Sequence, residues 1–210
     1  EGPVKWTMIA LSLSMMVLLF FALPAFLAGL LESWIGFEST FWGHLSEGLI
    51  RLTFLVGYIW LIGFLPDVKR LYGYHGAEHK TINAYEAGAE LTPESVARFP
   101  LEHPRCGTAF LLTVVVISII FYSFLPPMNI CVRIASRLLL LPVIAGISYE
   151  FLRFSAAHQE NAFIRLITKP NLALQRLTTN EPDMGMLEVA ITAFEQVVAY
   201  EGGKTVVEGT

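Results

Sequence analysis

Long apolar runs dominate this sequence and constrain its fold more than any other feature. The first, Met8–Leu31, contains no charged residue, and Pro24 is an expected kink within it. A helix needs roughly 20 such residues to cross the ~30 Å hydrocarbon core of a bilayer. Similar runs occur at Leu49–Leu65, Ala109–Leu125 and from about Ile134 to Phe154. The pattern predicts an all-α, multi-pass transmembrane protein with about four membrane helices.

Composition supports a membrane location. Hydrophobic residues make up 54% of the 210 residues and charged residues only 15%, with a mean hydropathy of +0.57. Soluble proteins average about 25% charged residues. The net charge of -4 argues against a nucleic-acid partner, which would require a basic face. Two cysteines, Cys106 and Cys131, are too few for a disulfide framework, and we expect both to be unpaired.

Positive residues in the loops set the expected orientation. The 66–108 connection is rich in cations, whereas the 32–48 connection has acidic residues and no Lys or Arg. The cations of the first are Lys69, Arg70, Lys80, Arg98 and Arg105, and the acids of the second are Glu32, Glu38 and Glu47. Because cytoplasmic loops are enriched in Lys and Arg, we expect a bacterial inner-membrane protein with both termini in the cytoplasm. Arg133 and Arg137 then lie at the outer boundary, where we expect them to act as anchors.

The charge pattern also divides the chain. We expect a helical membrane domain at residues 1–155, whose cytoplasmic loop 66–108 carries the candidate site, and a cytoplasmic amphipathic segment at residues 156–210. Because the sequence begins at Glu1 rather than Met, we also expect further residues upstream of it.

Three short stretches outside the membrane runs have helical signals. Tyr74–Ala87 is followed by Gly88, which is typical of a helix end. Thr92-Pro93 combines an N-cap residue with proline at the first helical position. Between Leu187 and Val198, apolar residues recur at helical spacing, which predicts an amphipathic helix that covers the membrane domain or the headgroup region.

The main candidate for chemistry is the string His75-Gly-Ala-Glu78-His79. On a helix, residues i and i+4 lie on one face one turn apart, so both imidazoles can reach a single ion. The same H-x-x-E-H pattern is the zinc signature of one class of metalloprotease. We assign Glu78 the catalytic role of a base that acts on water activated by the ion. The alternative is that the two histidines bind no ion and only cap the helix or extend their rings towards the membrane interface.

Three further residues could complete a divalent metal site on the same predicted side. His103 and Cys106 form an H-x-x-C pair, and Glu150 is a carboxylate near the cytoplasmic end of an apolar helix. An ionisable group in such a helix is a functional hypothesis by default. The third metal ligand is therefore His103, Cys106 or Glu150, and a mixed set of donors favours zinc. A salt bridge of Glu150 to Arg105, Arg153 or Lys80 and an inert buried Cys106 are the alternatives.

Several strings closely resemble the YqhQ family of bacterial membrane proteins. They are YHGAEHKTINAYEAG, HPRCGT, RLLLLPVIAGISYE and LQRLTT. The family is of unknown function and is described as predicted metal-dependent enzymes. The resemblance implies that the motif positions here are His75, Glu78, His79, His103 and Cys106. Family members also carry an N-terminal GGQAVMEG-like segment that does not occur in this sequence.

These features predict a membrane-embedded, metal-dependent enzyme, a hydrolase acting at the cytoplasmic membrane face. Its substrate would be a lipid headgroup, a membrane peptide or a small cytosolic molecule. The alternative is a non-enzymatic homo-oligomer that serves as a pore, scaffold or accessory factor and uses the cluster as a structural metal site or polar network. Four protein ligands would favour the structural role, and three with an open position would favour catalysis. Membrane lipid is the expected partner in either case.

Overall fold

The computed structural model describes the backbone of residues 2–36 and 40–207, and every regular element in those ranges is helical. Glu38, in the predicted external connection, lies outside the described residues. The elements are α1 (Gly2–Val17), a π-helical turn (Leu18–Ala22), α2 (Leu23–Ile35), α3 (Thr40–Ile62), α4 (Pro66–Glu86), α5 (Pro93–Val96), α6 (Gly107–Ser123), α7 (Ile130–Ala157), α8 (Ala162–Gln175) and α9 (Met184–Val207).

The membrane character predicted from the sequence is confirmed in its coarse form. Three helical stretches of the described chain are long and apolar enough to cross a membrane: Gly2–Ile35, Phe41–Ile62 and Ile130–Ala157. The third predicted span, Ala109–Leu125, corresponds to α6, which is apolar but has only 17 residues. The all-α class is therefore confirmed, and the number of crossings stays a prediction.

A proline changes the helix type within the first membrane helix. Pro24 has no N–H to bond the carbonyl of Phe20, four residues earlier. The chain forms the π-helical turn Leu18–Ala22 immediately before α2. Arg51 Nε donates a hydrogen bond of 2.9 Å to the Phe20 carbonyl. The expected kink at Pro24 is thus a π turn, and a side chain from α3 satisfies the Phe20 carbonyl.

The described chain forms two compact units. The first comprises Glu1–Tyr58 and Phe110–His158, and the second comprises Ile59–Ala109 and Gln159–Thr210. The central loop predicted at 66–108 therefore belongs to the same unit as the C-terminal segment. This grouping follows from side-chain packing between α4, α5 and α9.

A buried ionic network lies inside the first unit. The Glu47 carboxylate accepts hydrogen bonds from Arg51 Nη2 at 2.7 Å and from Arg137 Nε and Nη2 at 3.2 and 3.1 Å. All three side chains are buried, and Arg137 is 0% exposed. The Tyr122 ring lies 4.1 Å from the Arg137 guanidinium carbon, a cation–π contact. Glu47 and Arg51 are an i,i+4 pair on α3.

The prediction that Arg137 anchors the outer boundary is wrong. Its guanidinium is paired inside the unit, because an ionised side chain among apolar helices is retained only with a partner. Arg133, one turn earlier on α7, is mostly buried and forms a long ion pair of 3.9 Å with Glu32.

Helix α4 carries the candidate site and is longer than the sequence predicted. It begins with Pro66 in its first turn, after extended Leu65. Its end agrees with the prediction, since Gly88 has φ 67°, the left-handed conformation that glycine adopts at low cost. The early start was missed because the first two turns are charged and lack apolar periodicity.

The core of the second unit lies between α4, α5 and α9. Its buried side chains are Ala77, Ala84, Val96, Leu187 and Ile191. Small residues on α4 allow close approach of the α9 leucine and isoleucine. The amphipathic helix predicted near the C-terminus is confirmed, and the first half of its apolar face packs on α4 and α5.

Helix α8 was not predicted. Asn161 caps its first turn by accepting hydrogen bonds from the Phe163 and Ile164 N–H groups. Polar residues, Thr168, Asn171 and Gln175, are buried beside apolar ones on its inner face. Its apolar residues recur at helical spacing, so the sequence contained a signal for this helix that was missed.

Candidate metal centre

Helix α4 brings the two histidines of the HGAEH string together as their spacing predicted. The ring centroids of His75 and His79 are 4.3 Å apart. Cys106, from the residues just before α6, joins them. One donor atom from each of the three residues lies within 4.8 Å of the others. His79 and Cys106 are buried, and His75 is half-buried.

Main-chain carbonyls fix the orientation of both rings. His75 Nδ1 lies 2.9 Å from the Thr178 carbonyl oxygen, and His79 Nδ1 contacts the Leu101 carbonyl oxygen. A carbonyl only accepts, so each Nδ1 carries the proton. In the neutral imidazoles, the Nε2 atoms therefore keep their lone pairs free for an ion.

The anchor for His75 depends on a close crossing of two chain segments. Asn180 donates its N–H to the Tyr72 carbonyl at 2.9 Å, which holds residues 178–180 against α4. A Cβ at Gly76 would overlap the Asn180 carbonyl oxygen. Glycine at the second position of the HGAEH string is therefore required for the crossing that brings Thr178 to His75.

The second anchor is held by two side chains of α4. Lys80 Nζ donates to the carbonyls of Ala97 and Phe99 at 2.9 and 2.8 Å. Asn83 Nδ2 donates to those of Pro100 and Glu102 at 2.9 and 3.1 Å. These bonds fix the segment that contains Leu101, the partner of His79. Lys80 is thus a buried structural cation rather than a membrane-surface anchor.

Cys106 is placed to be a thiolate. Its Sγ lies 3.2 Å from His75 Nε2 and 3.1 Å from Thr108 Oγ1, and the Thr108 N–H donates to it at 3.4 Å. Burial raises the pKa of the thiol, but hydrogen bonds from His75, His79 and Thr108 outweigh burial and lower the pKa to about 5. The hydrogen bond to Cys106 is also the main cause that raises the pKa of His75. A thiolate is the form that binds metals.

His103 lies beside the three-donor cluster and uses its ring differently. Its Nδ1 accepts the Arg105 N–H at 3.3 Å, and its Nε2 is 3.7 Å from Glu86 Oε1. Gln175 holds its backbone on both sides, with bonds of 2.9 and 2.8 Å. Burial lowers the pKa of His103. His103 is thus a neighbour of the three-donor cluster, and its ring centroid lies 5.8 Å from that of His79.

The remaining candidate ligand belongs to the first unit. Glu150 is 67% exposed and lies 3.8 Å from Arg153, which is the salt bridge expected as its alternative role. His158, at the end of α7, is exposed and donates from Nδ1 to the Phe154 carbonyl at 2.8 Å.

A cavity of about 650 Å³ opens in front of the histidines. Its volume falls in the range of small-molecule sites, roughly 300–1,000 Å³. Glu78 lines it from α4, beside the ligand candidates. The other lining residues that matter for its chemistry are Ile82, Tyr85, Glu86, Arg105, Phe194, Val197, Val198 and Glu201.

The donor set suits zinc. Two imidazole nitrogens and one thiolate match the borderline-soft preference of Zn²⁺. The second bonds of both histidines, to main-chain carbonyls, are the usual outer support of metal-bound histidine. The sequence identified the three residues as candidate ligands, but not the main-chain carbonyls that orient the two histidine rings. Thr178 lies in the LQRLTT string, whose motif signal gave no indication of its role.

Fold and site together define a helical protein with membrane-type spans and a buried histidine–cysteine cluster. The chain belongs to the family described as protein of unknown function (DUF1385), whose model matches residues 3–200. It is 37% identical over 155 residues to the uncharacterized protein YqhQ of Bacillus subtilis (strain 168). That alignment covers 74% of this chain and 49% of the relative, so the chain spans about half the relative's length. The expected family is confirmed. No solved structure matches.

Proposed function

We propose that this chain is a membrane-embedded, metal-dependent hydrolase that acts at the cytoplasmic face of the bacterial inner membrane. The observation that supports this proposal best is the orientation of the two histidines. Each Nδ1 proton is committed to a main-chain carbonyl. One donor atom each of His75, His79 and Cys106 lies within 4.8 Å of the others, as the ligands of a metal ion do.

His75, His79 and Cys106 would hold the ion, and three protein donors leave a coordination position for substrate. A zinc-like ion, when bound, would supply a Lewis acid that polarises a substrate carbonyl and makes water reactive near neutral pH. Glu78 lines the same cavity. Its carboxylate takes a proton from the attacking water and returns it to the leaving group.

Metal analysis of purified protein tests the proposal. Wild type and His158→Ala should retain near-stoichiometric metal, whereas the double substitution His75→Ala/His79→Ala should retain none. His158 is a matched control because its described hydrogen bonds are to its own helix. Equal, substoichiometric metal in all three proteins would overturn the proposal and favour the non-enzymatic homo-oligomer.

A second candidate function rests on the Cys106 thiolate itself. A thiolate 3.2 Å from His75 Nε2, at the N-terminus of α6, also fits a cysteine nucleophile for acyl transfer. Chelation abolishes turnover by a metal enzyme and spares a thiol enzyme. Alkylation of Cys106 in metal-free protein, followed by return of the metal, would inactivate either kind of enzyme. Chelation is therefore the treatment that distinguishes them.

The orientation in the membrane is part of the proposal. The Lys and Arg residues of the 66–108 connection favour a cytoplasmic location for that connection. In a Cys106→Ser/Cys131→Ser background, Ala89→Cys should react with an impermeant maleimide only after the cells are permeabilised. Ser33→Cys, from the opposite connection, should react in intact cells. The reverse pattern would invert the topology.

A further inference from the structure

The apolar face of α9 continues past the core that it covers. Leu187 and Ile191 are buried against α4 and α5. The next members of the same face, Phe194, Val197 and Val198, line the cavity instead. Val197 remains 55% exposed. The second half of α9 therefore presents apolar surface to the cavity rather than to the core of the second unit.

The opposite wall, on α4, has an apolar strip between Glu78 and Glu86. Glu78, Ile82 and Tyr85 follow one another on one face and all line the cavity. Tyr85 meets Phe194 edge to face, with ring centroids 4.9 Å apart. At 1.5 Å rise per residue, the strip from Glu78 to Tyr85 is roughly 10 Å long.

We propose that the substrate is a linear acyl ester or amide, and this inference rests on the proposed hydrolase function. The acyl carbon lies at the histidine end, and the chain runs between α4 and α9. A strip of roughly 10 Å accommodates about eight carbons of extended chain. Water adds to the acyl carbon, and the C–O or C–N bond breaks. The proton held by Glu78 goes to the leaving oxygen or nitrogen, which gives a carboxylic acid and an alcohol or amine.

Charge around the cavity selects the kind of head group. Apart from the histidines and Cys106, the charged side chains of its wall are the carboxylates of Glu78, Glu86 and Glu201 and the guanidinium of Arg105. Arg105 is already paired with Glu86. This negative balance disfavours an anionic substrate, so the ester or amide is neutral or cationic. It also repels the carboxylate product, which favours its release.

Binding of neutral alkyl amides carrying a terminal diazirine tests the chain pocket without any turnover. In detergent-solubilised full-length protein, affinity should rise about fourfold per methylene and level off near eight carbons. Photolabelling mapped by mass spectrometry should mark residues 194–198 and Tyr85. Labelling confined to the membrane-type spans, or affinity that keeps rising with chain length, would overturn the proposal.

Two valines of one helix give a matched pair of variants. Val197→Asn places a polar group in the chain pocket and should weaken binding about tenfold. Val189→Asn should leave it unchanged, because Val189 is 54% exposed on α9 and does not line the cavity. Equal effects of the two substitutions would contradict the inference.

The His75→Ala variant separates this inference from the proposed function. It should lose metal and hydrolysis of a decanoyl ester, but its affinity for the alkyl amide probes should still rise with chain length up to about eight carbons. If it keeps its metal content, the proposed function fails while the chain pocket stands. If metal binding behaves as expected and the Val197→Asn variant binds the probe normally, the acyl assignment alone fails.

Discussion

Two buried polar clusters, one in each unit, contrast in how their members are satisfied. In the first unit, the Glu47 carboxylate accepts hydrogen bonds from two guanidiniums, so opposite charges face one another. In the second unit, His75, His79 and Cys106 bring two ring nitrogens and a sulfur within 4.8 Å of one another. The ring Nδ1 protons there are already committed to main-chain carbonyls.

The contrast separates stabilisation from chemistry. A cluster whose members complete one another has no need of a further component, and its loss should be measured as lost stability. A cluster whose members all present lone pairs needs a proton or a cation between them. Its loss should be measured in metal content and turnover. Four substitutions test whether one cluster stabilises the fold and the other supports chemistry.

Glu78→Gln should lower turnover of a decanoyl ester by about 10²–10⁴-fold, the usual contribution of general acid–base catalysis. Metal content and thermal unfolding should stay as in wild type, because none of the three donors is altered. Glu90→Gln, an exposed change on the same segment outside the cavity, serves as the control. Full turnover with unchanged metal would show that Glu78 is not catalytic.

Glu47→Ala should lower the free energy of unfolding by about 3–5 kcal/mol, since it leaves two buried guanidiniums unpaired. Glu32→Ala should cost about 0–1 kcal/mol, because that carboxylate is more exposed and its ion pair is long. Denaturant titration in detergent micelles measures both. The two variants should bind metal like wild type. Loss of metal from Glu47→Ala protein that remains folded would show that the two clusters are not independent.

Lys80→Met should lower the free energy of unfolding by about 1–3 kcal/mol, because two buried carbonyls lose their donor. Lys69→Met, an exposed change on the same helix, is the control. This variant shows whether the second unit also contains a purely structural polar group. A stability like that of wild type would mean that water replaces the ammonium group without loss.

Thr108→Val should have the smallest effect, a rise of roughly one unit or less in the pKa of Cys106. The hydroxyl lies 3.1 Å from the sulfur and favours the thiolate, so its removal favours the neutral thiol. In metal-free protein lacking Cys131, the pH dependence of alkylation should have its midpoint near 5 for the parent. The midpoint should move upward in the variant. Thr192→Val, whose hydroxyl bonds its own helix, should leave it unchanged.

The sequence predicted those parts of the site that depend on local spacing. The i,i+4 positions of His75 and His79 put both rings on one face, and the H-x-x-C string drew attention to Cys106. The anchors could not be predicted in this way. Thr178 meets His75 across 103 positions, and the bond uses a carbonyl that every residue possesses. Such a contact depends on packing and not on residue type.

The same distinction holds for the fold. Apolar runs gave the membrane-type helices, and apolar spacing gave α9. The position of Arg137 was wrong because a charge near the end of a run looks the same whether it faces water or a buried carboxylate. Helix α8 was missed although its apolar residues recur at helical spacing. Its buried face is partly polar, and from that face Gln175 hydrogen-bonds the backbone of His103, a contact that spacing does not reveal.

The crossing over Gly76 has a consequence for the order in which the protein matures. The carbonyl that orients His75 belongs to Thr178, whereas both histidines are synthesised about a hundred residues earlier. A chain still emerging from the ribosome therefore holds its first-made ligands without their final support. The centre becomes complete only after α8 has been made and residues 178–180 have settled on α4. The proposed function therefore predicts that metal loading follows synthesis of the C-terminal segment.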